Sequence, residues 1–336
     1  MMQYPKIAIP LRSVHLWRYT PWKRIHPTKV EEMPAADIIR FSDGNDSKME
    51  DSDEIARSFI HSISKVCKSI RLNDELLELD LRCSGHICAG ELLVQSSGNS
   101  TLIIRISGDA GWSGIRLLGE VTGTLSVAVV NDLSGDGHLL RCEDWSVGRD
   151  STLEFATLST GGFLNKSDIR VTLTHNGADV RGGIASNGHG SRHDDHHFEI
   201  EHSVGHTNSL LVMHAACDGS SHSVGTGILT ICEGANGSDA GQVFRNLLLS
   251  EKARAEAIPE LEVLADDVKA AHGAASAPID VDQLHYLESR GLSFSEAASL
   301  IVEGFLMDAF RHVKNQEVLT TLRTRLLVHL ECLING

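Results

Sequence analysis

Aromatic residues are scarce: three tyrosines, four tryptophans and nine phenylalanines make up 5% of 336 residues. The core must therefore be built from Val, Ile, Leu and Ala, and a groove of stacked aromatic platforms for sugar rings is disfavoured. Positive charge is also short. Lys+Arg 30 against Asp+Glu 45 gives 30 − 45 = −15, too acidic for sequence-independent neutralisation of nucleic-acid phosphates or for an anionic membrane surface. No apolar run reaches the ~18 residues of a membrane span, and the best stretch, 210–217, is interrupted by His214. The N-terminal string MMQYPKIAIPLRS lacks the charged-then-apolar order of a secretory signal, so a cytoplasmic protein is expected. The seven cysteines are odd in number, scattered and without a C-x-x-C pair, which disfavours a disulfide framework and a paired zinc site. No G-x-x-x-x-G-K-[ST] phosphate loop occurs.

The residues present fall into three textures. Residues 1–75 form a mixed N-terminal region with a polar, acidic stretch at 43–53. A helix is expected at 54–69, with Ile55, Phe59, Ile63 and Val66 along one side. Residues 76–277 read as short strands, for example 76–81, 101–106, 124–130, 151–156, 169–174 and 198–202. Apolar and polar residues alternate in 76–81 and 169–174, and Gly, Asn, Asp and Ser punctuate the strands about every ten residues (SSGNS, NDLSGDG, SNGHG, EGANGSD). A sandwich, barrel or β-solenoid would fit. The number of strands is large for a single sandwich, and a solenoid tolerates it, since its coils need only their neighbours, but with no strict repeat visible the periodicity alone does not choose among them. Residues 278–336 read as helices. Asp280 with Gln283, and Ser293 with Glu296, give two N-cap signals. Ala297, Leu300, Ile301, Gly304 and Phe305 share one face of the second helix, and a third helix is expected at 316–333.

Particular strings resemble the SufB/SufD family of iron–sulfur cluster assembly scaffolds. HLWRYTPW (15–22) is similar to its W-[RK]-Y-T motif. LSTGGFLNKSDIRVTL (158–173) is similar to its S-x-G-G-x-[LW]-x-[RK]-x-D segment, and HHFEIEH (196–202) to its D-H-H-T-x-V-E-H segment. The run IPELEVLADDVKAAHGAASAPIDVDQLHYLESRGLSFSEAASLIVEGF (258–305) resembles the C-terminal signature of the SufD branch nearly position for position. Where SufB members carry a cysteine this chain has Phe244, and their E-H-E triplet is replaced by Ala271, His272 and Gly273. The resemblance implies a mainly β fold, a right-handed parallel β-helix core with short helical N- and C-terminal regions. It implies a scaffold subunit that is not an enzyme by itself. It also implies a SufB-like partner, or a second copy of the chain, at the last β-helix turns, and a SufC-like ATPase at the C-terminal helices.

The same resemblance makes His272 the expected ligand at a cluster or iron interface, with iron or an Fe–S cluster held transiently rather than as a resident cofactor. Leu300, Ile301 and Phe305 become the expected partner-binding face. Eight of the 18 histidines fall at His189, His193, His196, His197, His202, His206, His214 and His222. Alternation sets His196 and Phe198 on one strand face and His197, Glu199 and Glu201 on the other, so a metal role for His196 or His197 is secondary to stacked polar ladders. Cys217 and Cys232 lie fifteen residues apart, close enough in sequence to approach each other across coils; burial as small apolar groups is the plainer role for both. Trp17 and Tyr19 are expected to pack the N-terminal segment onto the core. The competing reading is a carbohydrate-active enzyme on a β-solenoid that uses Asp194, Asp195 and His197.

Overall fold

The computed structural model describes Tyr4 and residues 6–335. The chain winds as a β-solenoid of two parallel sheets. The first sheet stacks Cys67–Asn73, Ile87–Ser97, Trp112–Val121, His138–Val147, Leu164–Leu173, His193–His202, His222–Ile231 and Arg254–Val263. Between them lie the strands of the second sheet, Leu76–Cys83, Asn99–Gly108, Thr124–Leu133, Thr152–Ser159, Asp179–Gly188, Asn208–Cys217, Asp239–Leu248 and Lys269–Pro278. Each first-sheet strand and the second-sheet strand after it form one coil. Coil length, read from ladder partners, runs from 24 residues (Cys67 to Glu91) to 32 (His222 to Arg254). That drift, taken up in the turns, hides the repeat from the sequence even though the strands stay in register.

Within each strand, alternate residues point into the solenoid or out of it. The inner rows supply one continuous core: Leu92, Leu117, Trp145, Ile169, Phe198 and Leu229 from the first sheet meet Leu102, Val127, Phe155, Ile184, Leu211 and Phe244 from the second. The outer rows are covered by the two ends of the chain. Trp17, Trp22, Ile25, Phe59 and Ile60 pack on Ala89, Trp112, Leu140, Cys142 and Leu164 of the first sheet. On the other side, Val302, Leu306, Phe310, Val318, Leu322 and Leu326 pack on Val130, Ala156, Leu158, Ala185 and Val212 of the second. The N-terminal and C-terminal regions are thus lids on opposite faces of the core.

Local sequence explains most boundaries, with one correction. The helix expected at 54–69 is Ile55–Ile63; Ser64 is extended and Cys67–Asn73 is a strand. Parallel pairing of Cys67–Asn73 with residues 91–97 outweighs the helical spacing of Val66. Both N-cap signals hold. Asp280 accepts from the N–H groups of Asp282 and Gln283, and Ser293 and Glu296 form a reciprocal capping box. The last helix is Gln316–Asn335.

Two buried carboxylates tie the lids down. Arg57 on the helix Ile55–Ile63 binds Asp168 and lies 2.8 Å from Asp144. Burial opposes the Asp168 charge, but Arg57 and Arg170 overcome it and hold the carboxyl well below the usual carboxylate range. On the other face, Glu154 accepts from Ser126 Oγ (3.0 Å) and from the backbone N–H groups of Lys314 (3.1 Å) and Asn315 (3.2 Å), just before the last helix. Glu154→Ala should leave two backbone donors without a partner and cost about 1–3 kcal/mol. The expected readout is a lower urea midpoint with faster proteolysis of residues 314–335; unchanged proteolysis would show that Glu154 does not hold this lid.

Candidate functional site: the open end of the solenoid

Parallel stacking leaves two unsatisfied strand edges at each end of a solenoid. At the start, short antiparallel strands cover both: Asn45–Asp46 pairs with the Cys67–Asn73 strand and Arg40–Phe41 with the Leu76–Cys83 strand. At the finish neither edge is covered among the described residues. Arg254–Val263 pairs only with His222–Ile231, and Lys269–Pro278 only with Asp239–Leu248. Every residue of Lys269–Pro278 except Gly273 is exposed. A row of unpaired N–H and C=O groups of this kind is a template for another strand.

His272 sits on that last strand, opposite Gln242 in the ladder. The same row runs back through Leu211, Gly182 and Phe155, and Leu211 and Phe155 belong to the interior core. His272 is therefore on an inner row, exposed because no further coil covers it. One coil below, Gln242 Nε2 donates to the Glu260 carbonyl at 2.6 Å, while its buried Oε1 has no partner among the described residues. The row changes from apolar to polar only in its last two members. Phe244, at the position where the resemblance sets a cysteine in SufB members, is 1% exposed and packs in the core. Its ring fills space left by glycine: a Cβ on Gly227 would stand 2.7 Å from it and 2.8 Å from Gln242 Oε1.

Beside the last strand runs an apolar groove of about 570 Å³, lined by Leu247, Ala277, Leu300, Ile301, Gly304 and Phe305 among others. The helix Phe294–Met307 packs Val302 and Leu306 on the second sheet, and Ala297 is buried as well. Leu300, 48% exposed, and the partly buried Ile301 and Phe305 face this groove. The face expected from the sequence is thus split between core and surface.

The histidine-rich stretch does not converge. His196 points inward and its Nδ1 meets Ser167 Oγ at 2.7 Å. His197 points outward and bonds Thr226 Oγ1 (2.7 Å) and Glu199 (2.9 Å). His193 meets Thr20 Oγ1 (2.9 Å), His202 meets Thr207 and Ser209, His214 meets the Phe305 carbonyl, and His222 meets Glu256. No group of three or more His, Cys, Asp or Glu fit for a metal occurs among the described residues. Most of these histidines are buried joints between coils or under the lids. The first-sheet motifs meet the N-terminal motif in the same way: Lys166 lies 5.8 Å over the Trp17 ring and 2.9 Å from Asp195, and His15 reaches Glu260 at 2.7 Å.

Two further expectations change. Cys217 ends a second-sheet strand, whereas Cys232 follows the end of a first-sheet strand, so they occupy opposite corners of the solenoid and do not approach each other. Asp194 and Asp195 point to opposite sides of their sheet, paired with Arg192 and Lys166, and with His197 they are almost fully buried. Such groups cannot act on a sugar chain.

The fold is thus a parallel β-solenoid whose first coil is capped by short antiparallel strands and whose last coil, with both strand edges uncovered among the described residues, carries a single imidazole, His272, on its exposed inner row. The family model for the SUF system FeS cluster assembly SufBD core domain matches residues 113–305. A SufBD family iron–sulfur cluster assembly protein of Mycobacterium leprae is 26% identical over 74% of this chain and 64% of its own length. The Bacillus subtilis SufD protein is 35% identical over 47% of this chain and 36% of its own, and the Escherichia coli SufD protein 30% identical over 38% and 31%. The chain belongs to the SufB/SufD family of iron–sulfur cluster assembly proteins and is SufD-like within it. It spans less than two thirds of the length of each of these relatives. None of the described helices is long and apolar enough to cross a membrane.

Burial lowers His193, His196, His202 and His329 to about 4 each. For His329 the neighbouring Arg192 and His189 add to the effect of burial. In the unfolded chain these groups titrate near 6.5, so between pH 6.5 and 4 the unfolded state binds more protons than the folded one. Stability must then fall on acidification through that window, by up to about 1.4 kcal/mol per pH unit for each such histidine. Carboxylates held low by their partners, such as Asp168, add the same sign only at lower pH. Urea midpoints measured from pH 7 to 4 should fall steadily, and His196→Gln should make the slope shallower. An unaltered slope would mean that His196 does not enter the folded state neutral.

Proposed function

We propose that this chain is a non-catalytic scaffold subunit that joins a SufB-like partner edge to edge at the open end, where nascent iron–sulfur clusters or the iron for them are handled. The observation that carries this reading is His272, an exposed imidazole on an inner row whose strand has no outer neighbour among the described residues. Imidazole is a good ligand for iron. One imidazole is too few donors for a cluster, and Phe244 supplies no thiolate, so the remaining ligands must come from the partner. The cluster is cargo passing through the interface. Without a phosphate loop the chain depends on a separate ATPase of the SufC type, and the groove lined by Leu300, Ile301 and Phe305 is its docking face. Half-exposed apolar side chains in a groove are what a protein partner covers.

His272→Ala should leave thermal stability and complex mass unchanged, because the side chain is exposed, while iron bound per assembled complex falls several-fold. Unchanged iron per complex would remove His272 from the site. If the chain pairs with itself rather than with a SufB-like subunit, mass measurement of the purified chain alone will give the dimer. Leu300→Glu should abolish binding of the ATPase subunit with little change in melting temperature, since Leu300 is 48% exposed. Retained binding would place the ATPase elsewhere.

A further inference from the structure

The two strand edges left at the open end are not equivalent. In a parallel ladder alternate residues turn their N–H and C=O groups toward one neighbouring strand, and the residues between them turn theirs the other way. Arg254 and Leu264 donate to the Ser221 and Ile231 carbonyls, and the register with His222–Ile231 is unbroken. Even-numbered residues of Arg254–Val263 therefore face the coil below, and Ala255, Ala257, Pro259, Leu261 and Val263 face out. Lys269 and Ile279 donate to the Ser238 and Leu248 carbonyls, again with unbroken register to Asp239–Leu248. On this second edge the outward groups are those of Ala270, His272, Ala274, Ser276 and Pro278.

Proline has no N–H, and its ring stands where the donor would be. Pro259 lies in the middle of the first-sheet edge, so a strand added there meets a gap with only two donors on either side. The second-sheet edge has proline only at its last residue. Its donors from Ala270 to Ser276 follow one another about 6.7 Å apart. The first edge is shielded in two further ways. Its outer row carries Glu256, Glu260 and Glu262, the first two bonded to His222 and His15, and Ala255 to Pro259 are only half-exposed. Proline and charge are what keep an exposed edge from pairing. Between Lys269 and Pro278 the second edge has neither, apart from the imidazole of His272.

We propose that the partner adds one strand to the second-sheet edge, along Lys269–Ser276, and that Pro259 keeps the first-sheet edge out of the pairing. The pairing rests on the scaffold role proposed above and deepens it. The occupant is a strand of the SufB-like subunit, free of proline over the paired stretch and set in a basic rim, rather than a second copy. The rim of this chain's open end holds Glu256, Glu260, Glu262, Asp266 and Asp267 against Arg254 and Lys269. Two copies would bring these negative rims together, and like charges facing across an interface oppose association. The N–H and C=O of His272 itself enter the new ladder. Its imidazole is then fixed on the inner row beside the added strand, whose inward side chains supply the ligands that His272 lacks.

The test is hydrogen–deuterium exchange of the full chain, alone and assembled with the SufB-like subunit, read by mass spectrometry on peptides spanning 254–263 and 269–278. Assembly should slow the outward amides of 269–278 at least tenfold and change those of 254–263 less than twofold. Ala274→Pro removes one outward N–H without touching the ladder below. It should weaken assembly at least tenfold at an unchanged melting temperature, whereas Pro259→Ala should leave affinity unchanged. The exchange measurement uses the unaltered chain and depends on neither variant. Equal protection of both peptides, or protection of 254–263 alone, would overturn the single-edge pairing while leaving the partner at the open end. A dimer of the chain alone with 269–278 protected would give the edge to a second copy and overturn the assigned occupant. Assembly that protects neither peptide, or no assembly, would overturn both the pairing and the scaffold role on which it rests.

Discussion

Backbone hydrogen bonding between successive coils is the constraint on which the structure depends. Each strand of a parallel solenoid satisfies its N–H and C=O groups with the coils before and after it, so only the terminal coils have groups left over. The strands stay in register although the coils grow from 24 to 32 residues, because the turns absorb the difference. Register then aligns inner rows with inner rows. A core of modest aliphatic side chains becomes continuous from Leu79 to Phe244.

From that constraint the asymmetry of the ends follows. Residues 40–46 place a two-residue antiparallel strand on each edge of the first coil, which blocks that end to the addition of a full strand. Among the described residues the last coil keeps two free edges side by side, with small residues along Lys269–Pro278. One closed end and one open end permit a single pairing and prevent the open-ended stacking that would build fibres. The same geometry places His272 at the mouth of the interior, above Gln242, without any loop having to hold it there.

The two lids explain why motifs distant in sequence belong together. Trp17 and Thr20 reach Lys166 and His193 across the first sheet, and His15 reaches Glu260 on the last first-sheet strand. On the opposite face the C-terminal helices are held by apolar contact and by Glu154. The helix Phe294–Met307 serves both purposes, with Val302 and Leu306 in the core and Leu300 in the groove. A helix has more than one face, and periodicity alone does not say which face the core takes.

Alternation, turn residues and capping pairs determined by themselves that the chain is mainly β with helical ends, because these signals depend on neighbours in sequence. The strings at 15–22, 158–173, 196–202 and 258–305 carried the family for the same reason. Tertiary structure decided the rest. It ended the helix that starts at Ile55 at Ile63, where strand pairing over residues 67–73 outweighed apolar spacing. It put Cys217 and Cys232 at opposite corners and scattered the histidines among separate buried partners. It set His272 on an inner row at an edge that no described residue covers. Each of these turns on which strand lies beside which, and coils of unequal length conceal that from any reading along the chain.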